Sequence, residues 1–181
     1  MDANRSEPPT MTEIDHVAIA VRDLDAAIAW YESAFGTRVA HRERIEHDGV
    51  EEALLKVAES FIQLLSPTTD SSPVARFLER KGEGIHHVGY RVADCAAALE
   101  KMRAAGAQLI DKTPRAGSRG TTVAFVHPRG AFGTLIELVQ EQPQEQSRSG
   151  SVNLPGTGGR APSSPAGSPA RDPRAERSLG L

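Results

Sequence analysis

The sequence has few of the features that mark several protein classes. Its 181 residues include one cysteine, Cys95, so it contains neither an intramolecular disulfide nor a multi-thiolate metal centre. No apolar run approaches the roughly 20 residues of a membrane span, and the first 13 residues lack the apolar stretch of a signal peptide. The net charge of −3 gives no reason to expect nucleic acid or an anionic membrane as partner. We therefore expect a cytoplasmic protein that binds neither.

The C-terminal segment is poor in residues that build a core. Residues 143–181 contain 6 Pro, 6 Gly and 7 Ser and no aromatic residue. Such a segment cannot bury enough apolar surface to offset its chain entropy. We predict that residues 1–12 and 142–181 are disordered and that residues 13–141 form one domain.

Two stretches of the chain repeat each other at an offset of 71 residues. IDHVAIAVRDLDAA (14–27) and IHHVGYRVADCAAA (85–98) are identical at seven of fourteen positions. Each reads as a strand, an Asp N-cap (Asp23 or Asp94) and a helix, with strand-like runs after it. These runs are TRVAHRERI, VEEALLKV and SFIQLL in the first copy, and AQLID, TTVAFVHP and TLIELVQ in the second. The predicted fold is α+β, with two tandem βαβββ modules in a curved, mixed, largely antiparallel sheet and a short helix at 72–82 between them.

Four polar side chains stand out within the apolar strands. Alternation places His16 and His87 on the helix-free face beside small residues, which favours a cleft there, while Gln63 and Glu137 lie in later strands of the two copies. A buried carboxylate such as Glu137 needs a cation, strong donors or water. Each residue alone also fits a hydrogen-bonded or exposed role. Together they predict a divalent metal site, since imidazole and oxygen ligands suit hard or borderline ions.

Two further features are open to more than one interpretation. His86 alternates to the opposite face from His87, so we interpret it as structural. The run AGSRG (116–120) lacks the spacing of a phosphate-binding loop and is interpreted as a hairpin turn. Its other interpretation is a loop that binds a substrate anion, with Ser118 and Arg119 as the candidate residues.

The repeated module resembles the vicinal oxygen chelate superfamily, which includes glyoxalases and extradiol dioxygenases. More narrowly, residues 13–141 are similar to methylmalonyl-CoA epimerases in the stretches IDHVAIAVRDLDAAIAWY, HDGVEEALLKV, FIQLLSP, GEGIHHVGYRV and GTLIELV. The segment PRGAFGTLIEL departs from the family, many of whose members carry a Lys and an acidic residue after the preceding His-Pro.

The resemblance implies a specific chemistry. It implies a divalent ion, which is cobalt or another of manganese, zinc, nickel and magnesium, held by His16, Gln63, His87 and Glu137. It also implies interconversion of the R and S epimers of methylmalonyl-CoA at C2 through an enolate, in propionate and branched-chain catabolism. Glu52, in the motif GVEE, and Glu137 would be the acid/base groups, with Glu51 facing the other way. A homodimer with an acyl-CoA substrate is expected.

Two rival functions share the scaffold. A glyoxalase-type lyase would use the same metal ligands, so the ligands alone do not exclude it. A metal-free drug- or ligand-binding protein of the superfamily would not need the complete His–Gln–His–Glu set, which argues against it.

The low apolar content of the tail generates a first prediction. A chain that ends at Gln142 should keep the melting temperature and activity of the full chain, because residues 143–181 offer little apolar surface to pack. Differential scanning calorimetry and an activity assay on both chains check this. A melting temperature lower by many degrees would contradict it.

Overall fold

A computed structural model describes residues 9–142, and nearly all of the two segments predicted to be disordered lie outside the described residues. The first strand begins at Met11, two residues before the predicted start of the domain. The strands are β1 (Met11–Ala20), β2 (Val39–Ile45), β3 (Val50–Val57), β4 (Ser60–Pro67), β5 (Gly84–Val92), β6 (Arg115–Ala116), β7 (Thr122–Val126) and β8 (Ile136–Gln140). The helices are α1 (Leu24–Phe35), α2 (Pro73–Lys81) and α3 (Cys95–Ala104).

All eight strands belong to one curved sheet in the order β2-β3-β4-β1-β5-β8-β7-β6. The pairs β1–β4 and β5–β8 are parallel, and the other five pairs among the described residues are antiparallel. Each module contributes four strands, and the strand order of the two halves is the same when read outward from the central β1–β5 pair. The α+β fold with two βαβββ modules, predicted from the repeat, is confirmed.

The three helices begin where the sequence predicts. Asp23 caps α1 and Asp94 caps α3, each accepting a hydrogen bond of 2.9 Å from the backbone N–H three residues later. Ser72 caps α2 in the same way at 3.0 Å. Gly36 ends α1 with φ 66°, a left-handed conformation that glycine adopts without strain. Within residues 9–142, no helix has the length and apolarity that crossing a membrane requires.

Helices α1 and α3 cover equivalent parts of the sheet. Helix α1 packs on the first module through Leu24, against Val21 and Leu64. Helix α3 packs on the second module through Leu99 and Cys95. The helix-covered face of each module therefore carries its own apolar core, as the alternation in the first strand of each copy predicts.

Helix α2 changes the character of the opposite face. Ala18 and Ala20, on the helix-free face of β1, are fully buried and pack in a cluster with Val74 and Leu78 of α2. The sequence predicted a cleft along this whole row of small residues. The structure corrects this prediction. Helix α2 covers Ala18 and Ala20, which therefore belong to the core, and the cleft is confined to the region around His16 and His87.

One predicted strand does not form. The segment AQLID (107–111) makes only an isolated bridge between Leu109 and Val126. The reason lies at Asp111, whose carboxylate accepts the N–H of Phe125 at 2.8 Å, while Ile110 and Asp111 both donate their N–H to the Phe125 carbonyl. The side chain thus takes the place of a backbone partner, which ends the ladder.

Candidate active site

Three of the predicted ligands converge at the centre of the sheet. His16 on β1 and His87 on β5 approach each other with 3.0 Å between their Nε2 atoms. Glu137 on β8 places its Oε2 2.9 Å from Nε2 of His16 and 3.1 Å from Nε2 of His87. All three side chains are buried. Three donor atoms of the type that binds metals therefore meet at one point.

The register of the sheet explains why four ligands share one face. Ala18 of β1 pairs with Gln63 on β4, and Gly89 of β5 pairs with Glu137 on β8. Ala18 and Gly89 are themselves equivalent at the offset of 71 residues, so Gln63 and Glu137 occupy equivalent places in the two modules. His16 and His87 are the second equivalent pair.

Each histidine lies over the small residue of the other module. His16 pairs with Gly89, and His87 pairs with Ala18, across the β1–β5 ladder. At Gly89 the approach is close, because a Cβ atom there would lie 2.3 Å from Cε1 of His16. Glycine is therefore required at this position for the His16 ring to occupy its observed place.

Gln63 and Glu52 form a buried pair beside this cluster. Gln63 donates from Nε2 to Oε2 of Glu52 at 2.5 Å. Its other amide atom, Oε1, is buried without a hydrogen-bond partner among the described residues. A buried amide oxygen with no partner is costly unless a ligand satisfies it. Gln63 thus has a buried amide oxygen without a partner among residues 9–142, and the residue lines the same cavity as His16, His87 and Glu137.

Two symmetric bulges place a second polar residue behind each histidine. In the β1–β5 ladder the register skips Asp15 on one strand and His86 on the other, and these two residues are equivalent in the repeat. The bulges re-aim both side chains. Asp15 contacts Nδ1 of His16 at 2.8 Å, and Nδ1 of His86 lies 2.9 Å from Nδ1 of His87.

The sequence analysis missed Asp15 and misplaced His86. Strict alternation would put His86 on the face opposite His87, whereas the structure places it in the cavity wall beside His87 and Phe77. Burial lowers the pKa of His86 to about 4, so it is neutral near pH 7. The sequence does contain a signal for these two residues, since a polar residue stands directly before the histidine in both copies. The alternation pattern, however, does not show that a bulge turns their side chains toward the site.

The surroundings of the two ligand histidines differ. Burial alone would lower the pKa of His16, but hydrogen bonds to Asp15 and Glu137 raise it to about 9. Burial lowers the pKa of His87, which Glu137 only partly opposes. Glu137 is itself held well below its usual pKa: burial would raise it, and the two histidines outweigh that effect.

Glu52 shows the opposite behaviour to Glu137. Burial raises its pKa, with the neighbouring Ser118 and Gln63 side chains opposing that effect. A carboxylate with a raised pKa is a better proton acceptor than an ordinary surface carboxylate. The two acids of this cavity are therefore electrostatically different from each other.

The turn at 118–120 closes one side of the site. It connects β6 and β7, as the predicted hairpin requires, and Glu43 on β2 accepts its Arg119 N–H at 3.1 Å. The Arg119 guanidinium donates from Nη2 to Asp15 at 2.8 Å. Arg119 thus links this turn to the carboxylate behind His16, and its charge is largely engaged there.

The predicted site residues share one cavity of about 190 Å³. Every candidate site residue of the sequence analysis lines it, namely His16, Glu52, Gln63, His87, Ser118, Arg119 and Glu137. Sequence reasoning therefore placed these residues together, while their individual roles stay predictions.

The donor set fits a divalent ion. Two donors about 2.1 Å from an ion and at right angles to each other lie about 3 Å apart, which matches the separations of 2.9–3.1 Å among the His16, His87 and Glu137 atoms. The partnerless Oε1 of Gln63 is a fourth available donor. Two imidazoles, a carboxylate and an amide oxygen suit several first-row metals and magnesium.

Comparison with known families agrees with this geometry. Residues 15–125 match the family model described as the Glyoxalase/Bleomycin resistance protein/Dioxygenase superfamily. The chain belongs to this superfamily. The matched range includes three of the four predicted ligands and both histidines of the central cluster.

Within the superfamily, the chain is similar to methylmalonyl-CoA epimerases, as the sequence motifs predicted. It is 39% identical over 129 residues to the ethylmalonyl-CoA/methylmalonyl-CoA epimerase of Cereibacter sphaeroides, covering 70% of this chain and 96% of that protein. The crystal structure of methylmalonyl-CoA epimerase from Mycobacterium tuberculosis is 40% identical with a TM-score of 0.72, covering 76% of this chain and 93% of that one. A methylmalonyl-CoA epimerase in complex with methylmalonyl-CoA and NH4+ is 39% identical with a TM-score of 0.71, covering 74% and 96%.

The close approach at Gly89 generates a second prediction. Gly89→Ala should displace the His16 ring, because its new Cβ would lie 2.3 Å from that ring. We expect the affinity for Co²⁺, measured by titration calorimetry, to fall about 10–100-fold, the range found when groups that orient metal ligands are changed.

Gly130→Ala is the matched control. Its Cβ would lie 2.3 Å from the backbone nitrogen of Gln108, away from the ligands. It should lower the melting temperature and leave the Co²⁺ affinity unchanged. Equal affinities of wild type and Gly89→Ala would refute the predicted coupling between Gly89 and the site.

Proposed function

We propose that this chain is a metal-dependent epimerase that interconverts the R and S epimers of methylmalonyl-CoA at C2. The observation that carries the proposal is the buried cluster of His16, His87 and Glu137, with the Gln63–Glu52 pair in the same cavity. The cavity thus combines a divalent-ion donor set with a second, separate carboxylate. The names of the similar enzymes support the choice of substrate.

The residues His16, Gln63, His87 and Glu137 would hold the ion. When bound, a divalent ion supplies positive charge that stabilises the negative charge developing on the thioester oxygen as the C2 proton leaves. Asp15 fixes the orientation of the His16 ring through its contact with Nδ1. The ring is further confined by Gly89 below it, so His16 is held in one position before substrate arrives.

Glu52 and Glu137 would move the proton. Epimerisation takes a proton from one face of C2 and returns one to the other, which requires a group on each face. Glu52 is almost completely buried and has a raised pKa, so it accepts a proton readily and holds it away from water. Glu137 is the second carboxylate of the cavity and contacts both histidines.

Two expectations concern the whole protein. The homodimer implied by the resemblance and the cytoplasmic location expected from the composition stay predictions. Ser118 and Arg119 border the cavity beside Glu52 and Asp15. We propose that Ser118 contacts the acyl part of the substrate, and that Arg119 acts mainly by holding the turn in place.

The function is tested with purified protein and a single epimer of methylmalonyl-CoA. We expect formation of the other epimer, read with an epimer-specific mutase, loss of activity after chelation and recovery with Co²⁺. His16→Ala should abolish both ion binding and activity. His47→Ala removes an exposed histidine that does not line the cavity and should change neither.

Absence of epimerisation in the ion-loaded protein would refute the proposed function. Turnover of the glutathione–methylglyoxal adduct in the same preparation would then favour the glyoxalase-type lyase. Full activity after complete removal of divalent ions would refute the metal dependence alone.

The proposed role of Glu52 generates a further prediction. Glu52→Gln should lower kcat for epimerisation by about 10²–10⁴-fold, the usual contribution of a general base. The amide keeps the shape of the side chain, so the melting temperature and ion content should stay unchanged. Exchange of the C2 proton in deuterated water, measured for each epimer, should persist for one epimer only.

Glu51→Gln is the matched control for this experiment. Glu51 is the adjacent residue, and its carboxylate pairs with Arg42 at 2.7 Å instead of lining the cavity. It should retain wild-type kcat. Near wild-type inversion by Glu52→Gln would show that Glu52 is not a base in this reaction.

A further inference from the structure

A second cluster of metal-binding side chains lies beside the candidate active site. It consists of His41 and Glu43 on β2 and Glu52 on β3, and one donor atom of each residue lies within 4.8 Å of those of the other two. We call these three residues the edge cluster. Glu52 is a proton-transfer group in the proposed function, whereas His41 and Glu43 have no part in it.

The pairing of β2 with β3 brings the edge cluster together. Glu43 and Glu52 are direct cross-strand partners in this antiparallel pair, so their side chains lie on the same face of the sheet. His41 precedes Glu43 by two residues and shares that face. Its Nε2 lies 2.9 Å from Oε2 of Glu43. Because β2 is an edge strand, the cluster lies at the edge of the face that carries the candidate site.

The two carboxylates of the edge cluster are satisfied to different degrees. Like charges directly opposite each other on neighbouring strands repel. Glu43 contacts the His41 ring and accepts the Arg119 N–H at 3.1 Å. Glu52 is only 1% exposed, and its Oε1 is buried without a hydrogen-bond partner among residues 9–142. A buried carboxylate oxygen without a donor is costly, so the arrangement favours a cation beside it.

The neighbouring cations are engaged elsewhere. The Arg119 guanidinium donates to Asp15 at 2.8 Å. The two arginines next to Glu43 in the chain pair with other carboxylates, Arg42 with Glu51 and Asp25 and Arg44 with Glu46. The negative charge of the edge cluster is therefore available to an ion from solvent.

The edge cluster can be reached from solvent. The side chains of His41 and Glu43 are 33% and 41% exposed, while Glu52 lies buried behind them. An ion therefore meets His41 and Glu43 directly and has the partnerless carboxylate oxygen of Glu52 within reach on the inner side.

We propose that His41, Glu43 and Glu52 bind a second divalent ion, Zn²⁺, and that this ion inhibits the enzyme. An imidazole nitrogen and two carboxylate oxygens supply three corners of a tetrahedral zinc site, and a water completes it. A carboxylate bound to the ion no longer accepts the C2 proton. The inhibitory effect rests on the proposed function, in which Glu52 is a base.

The second ion binds more weakly than the first. The edge cluster has three protein ligands against the four of His16, Gln63, His87 and Glu137, and two of its three are partly exposed. At one ion per chain the first site therefore fills alone. The second site fills only when the ion is in excess, so inhibition is a response to a high concentration of free ion.

Ion uptake is measured by equilibrium dialysis against excess Zn²⁺ with elemental analysis of the protein, which requires no turnover. The wild type should take up about two ions per chain, and the double variant His41→Ala, Glu43→Gln about one. Glu43→Gln alone keeps an acceptor for the Arg119 N–H. It should weaken the second ion at least about tenfold, since changes next to metal ligands already cost that much.

Inhibition is measured as the ratio of epimerisation rates without and with excess Zn²⁺. The ratio should be about 10² or more for the wild type, the usual contribution of a general base. It should stay near one for the His41/Glu43 double variant. Exchange of the ion in the first site affects all the proteins alike and cancels in the comparison between them.

The matched control is the double variant Glu46→Gln, His47→Ala. It changes the same two residue types at exposed positions of the β2–β3 turn, outside the edge cluster. It should take up as much Zn²⁺ as the wild type and be inhibited as strongly. Melting temperatures of both double variants establish that they are folded.

Equal Zn²⁺ uptake by the wild type and the His41/Glu43 double variant would overturn the second site. Loss of the second ion from the control would overturn its assignment to the edge cluster. Uptake of the second ion without inhibition would overturn its effect on Glu52. A wild type that does not epimerise at any ion concentration would refute the proposed function, while the uptake measurement would still decide whether the second site exists.

Discussion

The buried contact between Glu137 and the two histidines is the constraint on which the rest of the site depends. A carboxylate with little exposure to water is stable only when charge or hydrogen bonds replace its hydration. Here His16 and His87 do so from the two central strands, at 2.9 and 3.1 Å. Because the three groups come from β1, β5 and β8, the contact also fixes the junction between the modules. The candidate site therefore lies at the centre of the sheet, where the two modules meet.

The small residues of the central strands make this contact possible. His16 lies over Gly89 and His87 over Ala18, so each module supplies both an imidazole and the space for its partner's imidazole. The bulges at Asp15 and His86 then bring a polar group to the outer nitrogen of each ring. Each module therefore supplies a histidine, a small residue beneath the other module's histidine, and a polar residue next to its own histidine.

The repeat carried most of what could be predicted from the sequence. The offset of 71 residues made His16 and His87 equivalent positions, and Gln63 and Glu137 stood out as polar residues within apolar strand runs. Alternation failed at His86, because a bulge depends on how two strands pair and not on either strand alone. It also failed at Ala18 and Ala20, because a helix from another part of the chain covers them. The predicted strand at 107–111 does not form because the Asp111 carboxylate accepts the Phe125 N–H in place of a backbone carbonyl. Short polar side chains offer the backbone such alternatives to a strand ladder.

The internal symmetry of the site is incomplete, and this has a consequence for how a substrate can bind. The place in β7 equivalent to Glu52 is held by Val123, since Leu54 pairs with Gln63 and Phe125 with Glu137. Behind the histidines, an aspartate on one side corresponds to a histidine on the other. A fully two-fold cavity would accept an elongated molecule in two opposite directions with equal free energy. Glu52 and Val123 line the same cavity from equivalent places, so the two directions of binding differ in free energy. The difference between the two halves of the repeat thus gives the cavity a single polarity.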